Sequence, residues 1–165
     1  MKLFRSDLIA GFSDKLFEIP VNELKTDIIQ FAEPIVRCML TAVTAFDGYK
    51  ITGKLIWSTI EICDRCLTNF PQEHELPILF WLTSNQDLIS EVNEDFLWFP
   101  DSQDWVDIST IVHDLIYLDE PIKTLCRKDC KGICPVCGQN LNQQTCSCSV
   151  PRDEGQWNDL KKLVE

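Results

Sequence analysis

Histidine is nearly missing from this 165-residue chain, which holds two, and glycine is sparse at six. No Gly-rich phosphate loop, Gly-x-Ser-x-Gly or His-Glu-x-x-His occurs, so the best-known nucleotide, serine-hydrolase and zinc-protease patterns are absent. The two histidines form no constellation. His113 falls on a helix as a surface or half-buried residue, and His74, eight positions after Cys66, is at most a reserve metal ligand. Apolar runs are short, and none approaches the ~20 residues of a membrane-spanning helix. Lys2, Arg5, Asp7, Asp14, Lys15 and Glu18 interrupt the first twenty residues, which leaves no signal-peptide core. Positive charge is also scarce. Fifteen Lys and Arg stand against 26 Asp and Glu, a formal net of -11, which excludes bulk attraction to nucleic acid or to an anionic membrane.

What is present describes a globular chain. Hydrophobic residues make up 45% and charged residues 25%, enough apolar material for a core and for one domain with a small appendage. The charge is uneven: residues 1–120 hold 8 Lys/Arg against 21 Asp/Glu, whereas residues 121–165 hold 7 against 5. Eight acidic residues from Asp87 to Asp114 run without an intervening base. They read as a solvated loop and helix face, or as a surface for a basic partner.

Ile35 to Phe46 is rich in β-branched and apolar residues and ends at Asp47-Gly48, a hairpin-turn pair. Tyr49 to Ile62 reads as a second strand and Glu73 to Thr83 as a third. Glu91 to Asp104 reads as an irregular acidic loop whose aromatics cover a sheet edge. Ile108, Ile111, Val112, Leu115 and Ile116 then follow helical spacing, with Asp107 or Ser109 as cap. The expected fold is α+β: an antiparallel strand meander with one central helix and a zinc-stapled cysteine-rich C-terminal segment. The expected division is an acidic sheet domain, residues 1–121 with a helix over 107–119, and a cysteine-rich segment, residues 122–165, with a short helix after Pro151.

Nine cysteines in a chain with no sign of export are better explained by metal than by disulfides, and this sets the expected location as the cytoplasm or another reducing compartment. The strongest pair is Cys134-Pro135-Val136-Cys137-Gly138. A Cys-x-x-Cys turn delivers two tetrahedral ligands from one tight loop, and Gly138 permits the positive φ that such a knuckle needs. Cys146 and Cys148 supply the second pair. A Cys-x-Cys chelates well only where the backbone bends, so one of the two can be a spectator. Cys63-Asp64-Arg65-Cys66 is the second knuckle, completed by Cys126 and Cys130. Eight cysteines thus make two four-thiolate zinc (Zn2+) sites. The competing arrangement is one site of Cys130, Cys134, Cys137 and either Cys146 or Cys148. A thioredoxin-type role for Cys63 and Cys66 lacks the helix start that lowers a thiol pKa. Cys38 sits among Val36, Met39 and Leu40 as a small core residue. A closed four-thiolate site has no open position for catalysis, and nothing orders carboxylates around a small-molecule substrate, so the expectation is a non-enzyme.

The run Cys126-Arg127-Lys128-Asp129-Cys130-Lys131-Gly132-Ile133-Cys134-Pro135-Val136-Cys137-Gly138-Gln139-Asn140-Leu141-Asn142, followed by Cys146-Ser147-Cys148, resembles the C-terminal signature of the YceD family. The upstream order agrees: a strand ending in Cys63-x-x-Cys66-Leu67, an acidic stretch, then Val106-Asp107-Ile108 opening a helix that ends before Pro121. The resemblance extends over most of the chain. It implies a role in accumulation or processing of 23S ribosomal RNA and in large-subunit assembly, and it brings no catalytic residue. The implied partner is a ribosomal RNA precursor, or a ribosomal or rRNA-processing protein. Given the acidic charge, any RNA contact is expected to be local, through Lys123, Arg127, Lys128 and Lys131. Two other classes compete: a thiol-redox or redox-sensing protein, and a zinc-ribbon accessory subunit of an unrelated enzyme.

Overall fold

The computed structural model describes residues 1–24, 29–45, 48–89 and 95–149. The expected helix after Pro151, the turn residues Phe46 and Asp47, and part of the acidic stretch lie outside these. The chain separates into two compact units, residues 1–61 with 70–122 and residues 62–69 with 123–165. The division is therefore not a single cut: the eight residues Ile62–Asn69, from the end of one strand to the start of the next, group with the cysteine-rich end.

The first unit is mostly strand, with a couple of helices. Its elements are β1 (Lys2–Phe4), α1 (Arg5–Ala10), β2 (Phe12–Pro20), β3 (Ile35–Ala45), β4 (Gly48–Ile62), β5 (Asn69–Thr83), β6 (Phe96–Trp98), β7 (Trp105–Asp107) and α2 (Ser109–Leu118); β4 and β5 each run one residue into the second unit. A five-stranded sheet has the order β2-β3-β4-β5-β6, and β1 pairs with β7 as a separate ribbon. β2 with β3 and β3 with β4 are antiparallel. Period-2 burial explains the sheet. Val36, Cys38, Leu40 and Ala42 of β3 face the core with Ile51, Leu55 and Trp57 of β4 and Ile78, Phe80 and Leu82 of β5. From α2 and its start, Ile108, Val112 and Ile116 add a stripe at i, i+4 and i+8. Asp107 Oδ1 accepts the Ser109 backbone N–H at 2.9 Å, which satisfies one of the free donors at the helix start.

Four details differ from the sequence expectation. The acidic stretch is not wholly irregular: Phe96–Trp98 pairs parallel to β5 at Trp81–Thr83, so the sheet is mixed. Phe99 is buried behind this strand. β5 begins four residues earlier than its hydrophobic pattern, because a strand paired to β4 continues past the region where its side chains meet the core. α2 is shorter than 107–119. Finally, β2 and α1 carry weak local signals: Asp14 has φ 47 and the β2–β3 register shifts between Phe12 and Lys15, which breaks the alternation that would announce a strand.

His74 belongs to this unit's interior. Its ring stacks on Trp57 at 4.9 Å and 6°, Nε2 lies 2.8 Å from Thr59 Oγ1, and Nδ1 lies 3.5 Å from Asp119 Oδ2. Both ring nitrogens face protein partners. His113 is partly exposed, beside Asp114 and Tyr117.

Candidate metal centres

The second unit begins where β4 ends. Cys63 N–H donates to Thr68 O at 3.1 Å, and Leu67 N–H donates back to Cys63 O at 2.8 Å. The same two bonds recur at the other Cys-x-x-Cys: Cys134 N–H to Gln139 O at 2.8 Å, and Gly138 N–H to Cys134 O at 2.9 Å. In each loop the residue after the second cysteine adopts positive φ, Gly138 at 74° and Leu67 at 56°. These are two copies of one knuckle. Glycine takes this conformation in one and leucine in the other.

The segment from Lys123 is fastened to the first knuckle. Thr124 N–H donates to Asp64 Oδ2 at 2.7 Å, Asp64 N–H donates to Thr124 O at 2.9 Å, and the Thr124 hydroxyl donates to Ile62 O at 3.1 Å. Cys126 and Cys130 thereby meet Cys63 and Cys66 across some sixty residues of sequence. The Cys63 and Cys130 sulfurs are 3.8 Å apart, and those of Cys66 and Cys126 are 3.6 Å apart. Cys134, Cys137, Cys146 and Cys148 form the other group. Within each group all four sulfurs lie within 4.8 Å of one another. Residues 145–149 are not in a regular strand, which lets Cys146 and Cys148 both turn inward. Cys130 joins Cys63, Cys66 and Cys126, not the later four. Cys38 is buried in the first unit's core.

The donor sets fit zinc. Four Zn–S bonds of about 2.3 Å in a tetrahedron put sulfurs about 3.8 Å apart, and none of the nine cysteines is disulfide-bonded. The electrostatics fit as well. Burial opposes ionisation of Cys63, yet the backbone N–H groups of Cys126, Cys66 and Arg65 bring its thiol down to about 6. The N–H groups of Cys137 and Val136 do the same for Cys134, also to about 6. Burial, then the neighbouring sulfurs, push Cys126 up to about 12, and a hydrogen bond with Cys137, then burial, push Cys148 up to about 12. Cys66 is lowered too, by its hydrogen bonds with Thr68, so each group mixes thiols that ionise readily with thiols that resist, because crowded thiolates repel. A divalent cation relieves that repulsion. The centres differ in exposure: Cys63, Cys66 and Cys130 are buried, while Cys137 and Cys148 are exposed.

Several residues around the sulfurs escaped the sequence reading. Arg65 Nη1 donates to Cys130 O at 3.0 Å. Asn142 Nδ2 donates to Cys130 Sγ at 3.3 Å. The proposed contact residues Lys123, Arg127, Lys128 and Lys131 are all exposed, and Arg127 also bonds within the unit, its Nη2 donating to Asn142 Oδ1 at 2.7 Å.

No helix among the described residues is long and apolar enough to cross a membrane. No solved structure matches the chain. Among curated proteins, it is 38% identical over 72 residues to the chloroplastic large ribosomal RNA subunit accumulation protein YCED homolog 1 of Arabidopsis thaliana, covering 44% of this chain and 22% of that protein. The Zea mays protein of the same name is 38% identical over 73 residues, 44% of this chain and 25% of that protein. An uncharacterized protein of Mycobacterium tuberculosis is 25% identical over 95 residues, 58% of this chain and 46% of that protein. The chain spans about a quarter of the length of the plant relatives it matches. The family described as large ribosomal RNA subunit accumulation protein YceD matches residues 51–164, which contain both knuckles and all eight clustered cysteines. The chain belongs to the YceD family, whose name implies a role in accumulation of large-subunit ribosomal RNA.

Proposed function

We propose that this chain is a non-enzymatic factor, stapled by two zinc ions, that supports 23S rRNA processing and large-subunit assembly. One observation carries the reading: the eight cysteines in the family-matched region meet as two groups of four sulfurs at zinc-like spacing. A four-thiolate zinc is coordinatively closed, so its contribution is folding free energy and not turnover. Cys63, Cys66, Cys126 and Cys130 would hold one ion, and Cys134, Cys137, Cys146 and Cys148 the other.

The partner is a ribosomal RNA precursor, or a ribosomal or rRNA-processing protein. Charge favours acting through a protein. Lys123, Arg127, Lys128 and Lys131 are the exposed bases among the described residues of this segment, against an acidic first unit. Each zinc with four thiolates leaves a formal charge of -2, which takes the chain from -11 to -15. Elemental analysis should find two zinc ions per chain, and a deletion strain should show less mature 23S relative to 16S rRNA. A normal ratio would remove the ribosomal role. Affinity capture with and without nuclease then separates an RNA partner from a protein one.

A further inference from the structure

The loop between Cys137 and Cys146 belongs in sequence to the second centre but supplies contacts to the first. From the loop, Asn140 Nδ2 donates to Thr68 Oγ1 of the first knuckle at 3.1 Å and Leu141 N–H donates to Gly132 O at 2.9 Å; just ahead of the second centre, Ile133 N–H donates to Arg65 O at 3.0 Å. Gly132, at φ 76, lets the chain pass this close: a Cβ there would lie 3.0 Å from Arg65 O.

Asn142 makes the contact that reaches a sulfur. Its Oδ1 accepts the Lys131 backbone N–H at 2.8 Å and Arg127 Nη2 at 2.7 Å. Both partners can only donate, so the atom facing them is the oxygen and the amide orientation is settled. The nitrogen then donates to Cys130 Sγ at 3.3 Å and to Asn140 Oδ1 at 2.9 Å. Every donor and acceptor of the side chain is used. An outer N–H aimed at a ligating sulfur fixes that ligand's orientation.

We propose that Asn142 is a positioning residue that couples the two metal centres, so that filling the second raises the affinity of the first. Zinc at Cys134, Cys137, Cys146 and Cys148 closes the loop at both ends and presents the Asn142 amide to Cys130. Without that closure the loop must be ordered at the first centre's expense. By linkage the coupling is mutual, and filling the first centre favours the second by the same factor. This inference rests on the two-zinc reading above and deepens it.

The test is a double-mutant cycle on the full chain. Zinc affinity of each centre is read by competition with a chelator, and occupancy by alkylation of unprotected cysteines followed by mass spectrometry. Emptying the second centre with Cys134→Ser and Cys137→Ser should weaken zinc at the first by about 10- to 100-fold. Asn142→Asp keeps the shape and the acceptor but turns a negative oxygen toward the sulfur, and should weaken the first centre similarly with the second still filled. The combined variant should be little worse than either, since both break one link. Asn142→Ala, which removes the donor without adding charge, should fall between wild type and Asn142→Asp. First-centre affinity within about twofold of wild type in both Asn142 variants would overturn the role of Asn142, and so would effects that multiply in the combined variant. A chain that takes up no zinc would instead overturn the metal reading itself.

Discussion

Leu67 and Gly138 occupy the same position in two knuckles of the same shape, at φ 56 and 74. A left-handed conformation costs a side chain about 1–2 kcal/mol, and glycine nothing comparable. Gly138→Val should therefore destabilise the zinc-loaded second unit by about that amount, seen as chelator-induced unfolding at a lower chelator concentration. Leu67→Gly should shift the same midpoint the other way or leave it unmoved, because the Leu67 side chain is exposed and glycine loosens the unfolded chain. A large loss on Leu67→Gly would mean that its side chain is held by something else. In the first unit, Thr59 is fully buried and its hydroxyl meets His74 Nε2. Thr59→Val leaves that nitrogen without its partner and should cost about 1–3 kcal/mol in urea unfolding.

At the scale of elements, the two knuckles draw on different distances along the chain. The second is local, since fifteen residues hold all four cysteines from Cys134 to Cys148. The first joins the β4–β5 turn to Cys126 and Cys130. Cys134→Ser should unravel residues of the second centre and remove one zinc, while the strand signal of the first unit persists in circular dichroism. Cys63→Ser should remove the other zinc, and unchanged zinc content would refute the shared centre. Proton release gives an independent reading. At pH 7.5 Cys126 and Cys148, pushed up to about 12, and Cys146, which the Cys148 backbone N–H lowers but the Cys134 sulfur and burial together raise further, all carry protons that zinc must displace. Zinc uptake should release at least one proton at the first centre and two at the second, and affinity should fall as pH falls. Calorimetry in buffers of different ionisation enthalpy measures this; no dependence on buffer would contradict four-thiolate binding.

For the whole molecule, charge decides how an RNA-linked role can be carried out. Loading with the two proposed zinc ions would make the chain more negative, to -15, and so would not add attraction for RNA. The isolated, loaded protein should bind naked RNA weakly and with a shallow salt dependence, because few phosphates are neutralised. What little binding there is should vanish in Lys128→Ala with Lys131→Ala. Tight binding to bare RNA, measured by fluorescence anisotropy across salt concentrations, would overturn this view and favour direct RNA recognition.

Much of this protein was readable without coordinates. The β-branched, apolar runs of β3 and β4, the 108-112-116 stripe of α2 and the Cys-Pro-Val-Cys-Gly knuckle are local patterns, set by side-chain preference, backbone periodicity and glycine's access to positive φ, so neighbours in sequence suffice to reveal them. The pairing of parallel β6 with β5, the burial of His74 against Trp57, and the union of Cys63 and Cys66 with Cys126 and Cys130 join residues far apart in the chain. No local preference encodes such partners. Spacing alone also left Cys130 free to side with either group. Tertiary structure decided it, because the Thr124–Asp64 hydrogen bonds bring Cys126 and Cys130 to the first knuckle and the Asn142 amide meets the Cys130 sulfur there.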